Sequence, residues 1–206
     1  MGIGGRHHTQ DTRLKQLFAE NHGYLSRKEA VGAGIDPHLL SAWVNYGRAE
    51  RVQRGLYRDT EAPPLTHESL IEVALRAPHA VVCLRSALAF HELGTVSPAE
   101  IDLAIPNKAR TPPIHYPPVN FYYFSDSVYR YGIQEHETGP ATIKVYSPEK
   151  TLADLLFYKY KLGTDLFIEG LQAYMLRTGA NPSQVMEAAR VRRVQRQMRT
   201  YLEALT

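Results

Sequence analysis

Polar side chains that could contact DNA bases recur at helical spacing in the segment 37–46. Leu40, Trp43 and Val44 repeat at three- and four-residue steps, so we expect them to face a core. The opposite face then carries His38, Ser41 and Asn45, with Ala42 beside them. Asparagine can pair with adenine through two hydrogen bonds, and serine or histidine can bond to bases or phosphates. The spacing therefore predicts a helix face that can read base edges.

Basic side chains that could bind phosphates surround this segment. Arg51, Gln53 and Arg54 suit phosphate contacts or a minor groove, while Lys28 and Arg48 could add contacts to the sugar-phosphate backbone. Residues 1–60 hold nine Lys and Arg against six Asp and Glu, and the rest of the chain holds fifteen of each. The whole formal charge of +3 therefore lies in the N-terminal part, which favours a polyanionic partner there.

Local signals place these residues on a helix-turn-helix. Ser26 and Glu29 form a capping box that starts a short helix. Asp36 is a suitable N-cap and Pro37 suits a first helical position, so a second helix should start there and end by Gly47.

A hairpin and a preceding helix complete the predicted domain. Alternating residues on both sides of the Arg54-Gly55 turn indicate a small β-hairpin. Before the helix-turn-helix, Leu14, Leu17 and Phe18 share one face of a helix predicted over residues 12–21. Residues 12–60 thus describe a winged helix-turn-helix DNA-binding domain. The alternative is a winged helix that contacts proteins and whose charges are only solvated.

Length and composition are those of an ordinary globular protein of one or two domains. The chain has 206 residues, of which 44% are hydrophobic and 22% charged. No apolar run has the length of a membrane helix, and residues 1–11 have no signal-peptide pattern, so we expect a disordered lead-in and a cytoplasmic protein. The single cysteine, Cys83, lies in an apolar run and is expected to be a buried structural thiol.

The second part, residues 65–206, should form a larger α+β domain. The polar, proline-containing segment 59–64 is the best boundary. Two helices, then strands, then further helices are predicted in chain order. Helices are predicted over 66–77, 83–93, 149–163, 165–177 and 183–205; strands over 101–105, 119–124 and 141–146, with a hairpin in 132–137.

Several segments resemble the AbiEi family, the transcriptional-regulator antitoxins of type IV (abortive-infection) toxin–antitoxin systems. They are RGLYR (54–58), HESLIEVALRAPHAVVCLRSALAFHELG (67–94), AEIDLAIP (99–106) and IKVYSPEKTLADLLFYKYKLG (143–163). The resemblance implies a winged helix that binds inverted repeats in double-stranded promoter DNA, and a C-terminal domain that counteracts a cognate nucleotidyltransferase-like toxin. Family recognition helices often carry basic outer residues, whereas this one does not, so DNA binding should depend more on the wing.

Two other functions remain open for the second domain. One is a ligand-binding or oligomerisation role in a plain transcription regulator without a toxin. The other is a nuclease, because Asp102, Glu135 and Glu137 with Lys144 or Lys150 loosely resemble a metal-dependent core. The spacing matches no known signature, the histidines lack zinc-site spacing, and no Gly-rich phosphate loop is present. We therefore expect no enzyme, cofactor or metal.

The last predicted helix carries a second basic surface. Val191, Val194, Met198, Tyr201 and Leu205 recur at three- and four-residue steps and should face inward. The opposite side then presents Arg192, Arg193, Arg196 and Arg199. This stripe is either a solvated outer face or a docking surface for flanking DNA or for an acidic or RNA-bearing partner.

Overall fold

The computed structural model describes residues 3–205 and shows the mixed α+β architecture that the sequence predicts. The chain forms two compact units. The first runs to Glu72 and includes the Thr138–Ala141 segment, and the second comprises Val73–Glu137 and the chain from Thr142 onward. The proposed boundary at 59–64 lies within the first unit. None of the helices described over residues 3–205 is both long and apolar enough to span a bilayer.

The first unit is a helical domain with a three-stranded sheet in the order β1-β3-β2. Strand β3 pairs antiparallel with both neighbours, so β2 and β3 form the wing and β1 extends it. The elements are α1 (Ile3–Glu20), β1 (Tyr24–Ser26), α2 (Arg27–Gly32), α3 (Pro37–Asn45), β2 (Ala49–Gln53) and β3 (Leu56–Asp59).

Both predicted helix starts of the helix-turn-helix are confirmed. The amide of Glu29 donates to Ser26 Oγ at 3.1 Å, and the amide of Ser26 donates to the Glu29 carboxylate at 2.8 Å, which completes the capping box. The Asp36 carboxylate accepts from the amide of His38 at 2.9 Å, and Pro37 occupies the first turn of α3. These local bonds explain why the helices begin at the predicted residues.

The expectation of a disordered lead-in over residues 1–11 is wrong for the part that the structure describes. Helix α1 begins at Ile3 and continues to Glu20. Gln10 donates to the carbonyl of Gly34, and the Asp11 carboxylate accepts from the Trp43 indole. Two polar side chains, Gln10 and Asp11, thus bond this part of α1 to the rest of the domain ahead of its first apolar core residue, Leu14.

The second unit is built around a five-stranded mixed sheet in the order β6-β5-β4-β8-β7. Strand β5 pairs with β6 and β4 with β8 in parallel, while the β4–β5 and β7–β8 pairs are antiparallel. The strands are β4 (Val81–Val82), β5 (Ile101–Pro106), β6 (Val119–Phe124), β7 (Ile133–Glu137) and β8 (Thr142–Tyr146). The predicted hairpin within 132–137 is wrong, because that segment is one strand whose partner is β8.

Helices of the second unit cover the sheet, with α7 at the centre of the packing. Leu152, Leu155 and Leu156 are buried on α7, which contacts α5, α9 and α10. Cys83 is fully buried at the start of α5, as expected for a structural thiol. The helices are α4 (Glu68–Arg76), which contains the point of division, α5 (Leu84–Phe90), α6 (Asp126–Arg130), α7 (Pro148–Phe157), α8 (Lys159–Leu162), α9 (Thr164–Met175), α10 (Pro182–Arg192) and α11 (Gln195–Glu203).

Two predicted long helices are each divided in two. The helix predicted over 149–163 ends at Phe157, and after a turn at Tyr158 a short second helix begins at Lys159. Tyr160 lies on this second helix and is 94% exposed. The helix predicted over 183–205 breaks at Arg193, whose backbone is left-handed with φ of 64°.

Candidate nucleic-acid interface

The outer face of α3 presents the polar side chains predicted from the helical spacing. Leu40 and Trp43 are buried in the core of the first unit, and Val44 packs against that core. His38, Ser41 and Asn45 lie on the opposite side, at the surface of the unit. The Ser41 hydroxyl makes a long contact of 3.5 Å with the carbonyl of Pro37. This polar face is therefore presented to solvent.

Trp43 and Asp11 fix α3 against α1. The indole N–H of Trp43 donates to Asp11 Oδ1 at 2.6 Å, and its ring stacks on Phe18 with centroids 5.6 Å apart. A buried indole N–H without an acceptor would be costly, so this bond selects one orientation of α3. The polar face of α3 is thereby held by contacts made on the helix's other side.

Arg48 belongs to the same cluster. Its Nη1 donates to both carboxylate oxygens of Asp11, at 3.0 and 2.9 Å, and its guanidinium carbon lies 4.1 Å from the centroid of the Trp43 ring. We expected Arg48 to contact a DNA backbone. That contact stays a prediction; in the structure the guanidinium also engages Asp11 and Trp43, and Arg48 therefore helps to position α3.

A basic groove of about 620 Å³ lies between α2 and the wing. Arg54 and Lys28, both expected to bind phosphate, lie on opposite sides of it, and Arg51 adds a third predicted cation. Gln53 does not line the groove, but its carbonyl accepts from Arg51 Nε at 3.3 Å. The lining residues are Ser26, Arg27, Lys28, Val31, Arg51, Arg54, Gly55 and Tyr57, and no acidic side chain is among them.

The turn of the wing is tied to the start of α2. The amide of Arg27 donates to the carbonyl of Gly55 at 2.8 Å, and Gly55 has φ of 80°, a conformation that glycine adopts without strain. This hydrogen bond sets the spacing of the two walls and brings Arg27 to the groove. Sequence reasoning missed Arg27, because its place at the first position of α2 indicates helix geometry but not its distance from the wing.

The predicted second basic surface is not assembled as expected. Arg192 is only 8% exposed and forms an ion pair of 2.9 Å with the buried carboxylate of Asp154. Its guanidinium carbon lies 3.8 Å from the Phe157 ring centroid. Arg193 is exposed but lies at the helix break. Of the four arginines, Arg196 and Arg199 are therefore the pair that is exposed on the same helix, α11. The stripe was wrong because burial of Arg192 and the break at Arg193 end its helical continuity.

Arg192 forms part of a buried charged cluster in the second unit. Lys150 and Asp154 have no exposed side-chain surface, and the Lys150 ammonium donates to the Asp154 carboxylate. Lys150 Nζ also lies 4.2 Å from the Tyr146 ring centroid. Burial lowers the pKa of Lys150, and the adjacent Asp154 opposes that shift. Lys150 thus acts within the core and offers no group to a ligand.

The side chains considered for a nuclease are separated into structural pairs. Asp102 is fully buried, and its two carboxylate oxygens accept from Arg85 at 2.7 and 2.6 Å. Lys144 pairs with Glu135 at 3.7 Å on the β7–β8 ladder. Over the part of the chain that the structure describes, no three His, Cys, Asp or Glu side chains are grouped so that they could hold a metal ion.

Comparisons with known proteins agree with the architecture of the first unit. Residues 13–58 match the family model described as "Transcriptional regulator, AbiEi antitoxin". The crystal structure of the RV2827C protein from Mycobacterium tuberculosis is similar in fold, with a TM-score of 0.57 at 12% identity, over 95% of this chain and 81% of that one. A comparison with curated protein sequences finds no match. Over residues 13–58 this chain is therefore similar to the transcriptional regulators of the AbiEi antitoxin family.

Proposed function

We propose that this protein is a cytoplasmic DNA-binding autorepressor that binds repeats in its own promoter. The observation that carries the proposal is the basic groove, where four cations line one concavity without an acidic side chain. Such a surface suits the sugar-phosphate backbone, which supplies much of the affinity in protein–DNA complexes. The regulator family of residues 13–58 supports the same function.

The polar face of α3 and the basic groove have different chemistry, and we propose different roles for them in DNA binding. The polar face of α3 offers Asn45 for adenine, with His38 and Ser41 as further contacts to bases or phosphates. It has no Lys or Arg, so we assign affinity to the groove and base discrimination to α3. In this proposal the phosphates are bound by Arg27, Lys28, Arg51 and Arg54. Gln53, on the wing, adds a contact to phosphate or to the minor groove.

The same proposal includes an antitoxin role that requires no catalysis by this chain. Its support is the family description of residues 13–58, and the second unit is the proposed carrier of the activity. The target would be a cognate nucleotidyltransferase-like toxin, counteracted with or without direct contact. A gene for such a toxin beside this one would support the role, and rescue of growth upon co-expression would test it. If the full chain does not rescue growth, the antitoxin role is contradicted, and the alternative of a transcription regulator without a toxin is favoured.

The DNA-binding function can be tested with the protein's own upstream region. Full-length protein should shift that fragment in a gel titration at lower concentration than a scrambled fragment of the same length. A reporter driven by the same promoter should be repressed when the protein is supplied. Equal affinity for both fragments, with no repression, would contradict the proposal.

A further inference from the structure

Among the residues that the structure describes, strand β6 forms one edge of the five-stranded sheet and pairs with another strand on one side only. It pairs in parallel with β5 from Val119 to Phe124. Tyr122 and Phe124 face the core, whereas Tyr123 on the other face is 46% exposed. An edge strand of this kind presents a row of backbone donors and acceptors to its surroundings.

The hydrogen bonds at the two ends of the β5–β6 ladder identify which groups face outward. The amide of Ile101 donates to Pro118 at 2.9 Å, and the amide of Asn107 donates to Phe124 at 2.8 Å. Because bonding alternates along a parallel ladder, the even-numbered residues of β6 bond to β5. The backbone N–H and C=O groups of Val119, Phe121 and Tyr123 therefore point away from the sheet.

The two edges of this sheet differ in how they are protected. The opposite edge, β7, carries Glu135 and Glu137, and charged side chains discourage edge-to-edge pairing. Strand β6 has the sequence VNFYYF, without a charge or a proline. Strand β6 therefore lacks the charge protection of the opposite edge and is open to pairing with a partner strand.

We propose that β6 pairs antiparallel with β6 of a second copy of this chain, across a two-fold axis at Phe121. In this register Phe121 faces its own counterpart, and Val119 of each copy faces Tyr123 of the other. Each pair exchanges two N–H···O bonds, so all outward groups of the three residues are satisfied.

The side chains of β6 favour a second copy over an unrelated peptide. Across the axis an aromatic ring meets an aromatic ring, and a β-branched residue meets an aromatic one at each side, combinations that stabilise antiparallel pairs. The strand is thus complementary to itself about its own centre. Since two edge strands bury a small interface, the dimer should dissociate on dilution.

The pairing can be tested by sedimentation equilibrium of the full-length chain. The mean mass of the wild type should rise from 23.3 kDa toward twice that value as concentration increases. F121E and F121K should each remain at the monomer mass, because like charges would face each other on the axis. An equimolar mixture of F121E with F121K should recover the doubled mass, which an effect on folding alone would not produce.

A second variant guards against misfolding. F121P removes an outward N–H that β5 does not use, so it should keep the β5–β6 ladder and the circular dichroism spectrum while abolishing dimerisation. A wild type that stays at the monomer mass at every concentration would overturn the proposal. A dimer that F121P, F121E and F121K all leave intact would also overturn it. DNA binding by the first unit is a separate measurement and does not enter either result.

Discussion

At Asp154 a fully buried carboxylate lies between two buried cations, Lys150 and Arg192. Its replacement by alanine would leave both cations in the core without a counter-charge. We expect D154A to lower the free energy of unfolding of the second unit by roughly 3–5 kcal/mol, the typical cost of breaking a buried ion pair. Urea denaturation followed by far-UV circular dichroism measures it.

The control for that change is the exposed pair of Glu187 and Arg190 on α10. E187A removes a carboxylate from the same unit, but solvent screens the arginine that remains, so the loss in free energy of unfolding should be much smaller than for D154A. Similar losses for D154A and E187A would show that the buried cluster does not stabilise the unit.

His91 gives the second unit a dependence on pH at the residue scale. Burial lowers the pKa of His91 below its ordinary 6.5, and its Nε2 lies 2.7 Å from the carbonyl of Tyr146. Between the lowered folded pKa and 6.5, the unfolded chain binds more protons than the folded chain, so stability falls as pH falls through that window.

Comparison of H91Q with the wild type isolates this effect. Glutamine can still donate to the Tyr146 carbonyl but does not titrate, so the free energy of unfolding of H91Q should fall less steeply between about pH 7 and pH 5. Denaturant titrations at several pH values supply the slopes. Parallel slopes for the two proteins would exclude His91 as a contributor.

At the scale of elements, the packing of α1 against α3 should control the stability of the first unit. D11A would leave the Trp43 indole without its acceptor and Arg48 without its partner. We expect a loss of roughly 1–3 kcal/mol, the cost of an unsatisfied buried polar group. Trp43 is the only tryptophan, so its fluorescence reports unfolding of this unit alone.

The matched control on the same helix is E20A. Glu20 forms an exposed pair with Arg13 at 3.4 Å, and removing this pair should hardly change the unfolding midpoint. If the tryptophan fluorescence of D11A and E20A shows the same midpoint, Asp11 does not hold α3 in place.

Local signals predicted where α2 and α3 begin. Ser26 with Glu29, and Asp36 with Pro37, act through bonds within three residues, so the sequence alone indicates where α2 and α3 begin. The polar face of α3 followed from helical spacing for the same reason. These features require no knowledge of distant residues.

Features set by distant residues were not predictable in this way. Arg192 was predicted to lie on an exposed basic stripe, because no pattern near it indicates that it forms an ion pair with the buried Asp154. The left-handed backbone at Arg193 occurs without a glycine, so nothing in the sequence predicts the break. Arg27 reaches the groove through the Gly55 carbonyl, a bond between segments far apart in sequence.

At the scale of the whole molecule, the central claim is that the basic groove binds the backbone of promoter DNA. The logarithm of the observed binding constant should fall linearly with the logarithm of salt concentration, with a slope set by the number of phosphates bound. The most direct measurement compares this slope for the wild type, R27A/R54A and the control R13A. Arg13 is an exposed arginine of α1 that does not line the groove.

We predict that R27A/R54A binds DNA more weakly and has a slope shallower by about 0.9 for each phosphate that the variant no longer neutralises. R13A should keep the wild-type slope. Fluorescence anisotropy with a labelled promoter fragment gives all three values under identical conditions. A double variant with the same slope and affinity as R13A would contradict the assignment of the groove to DNA.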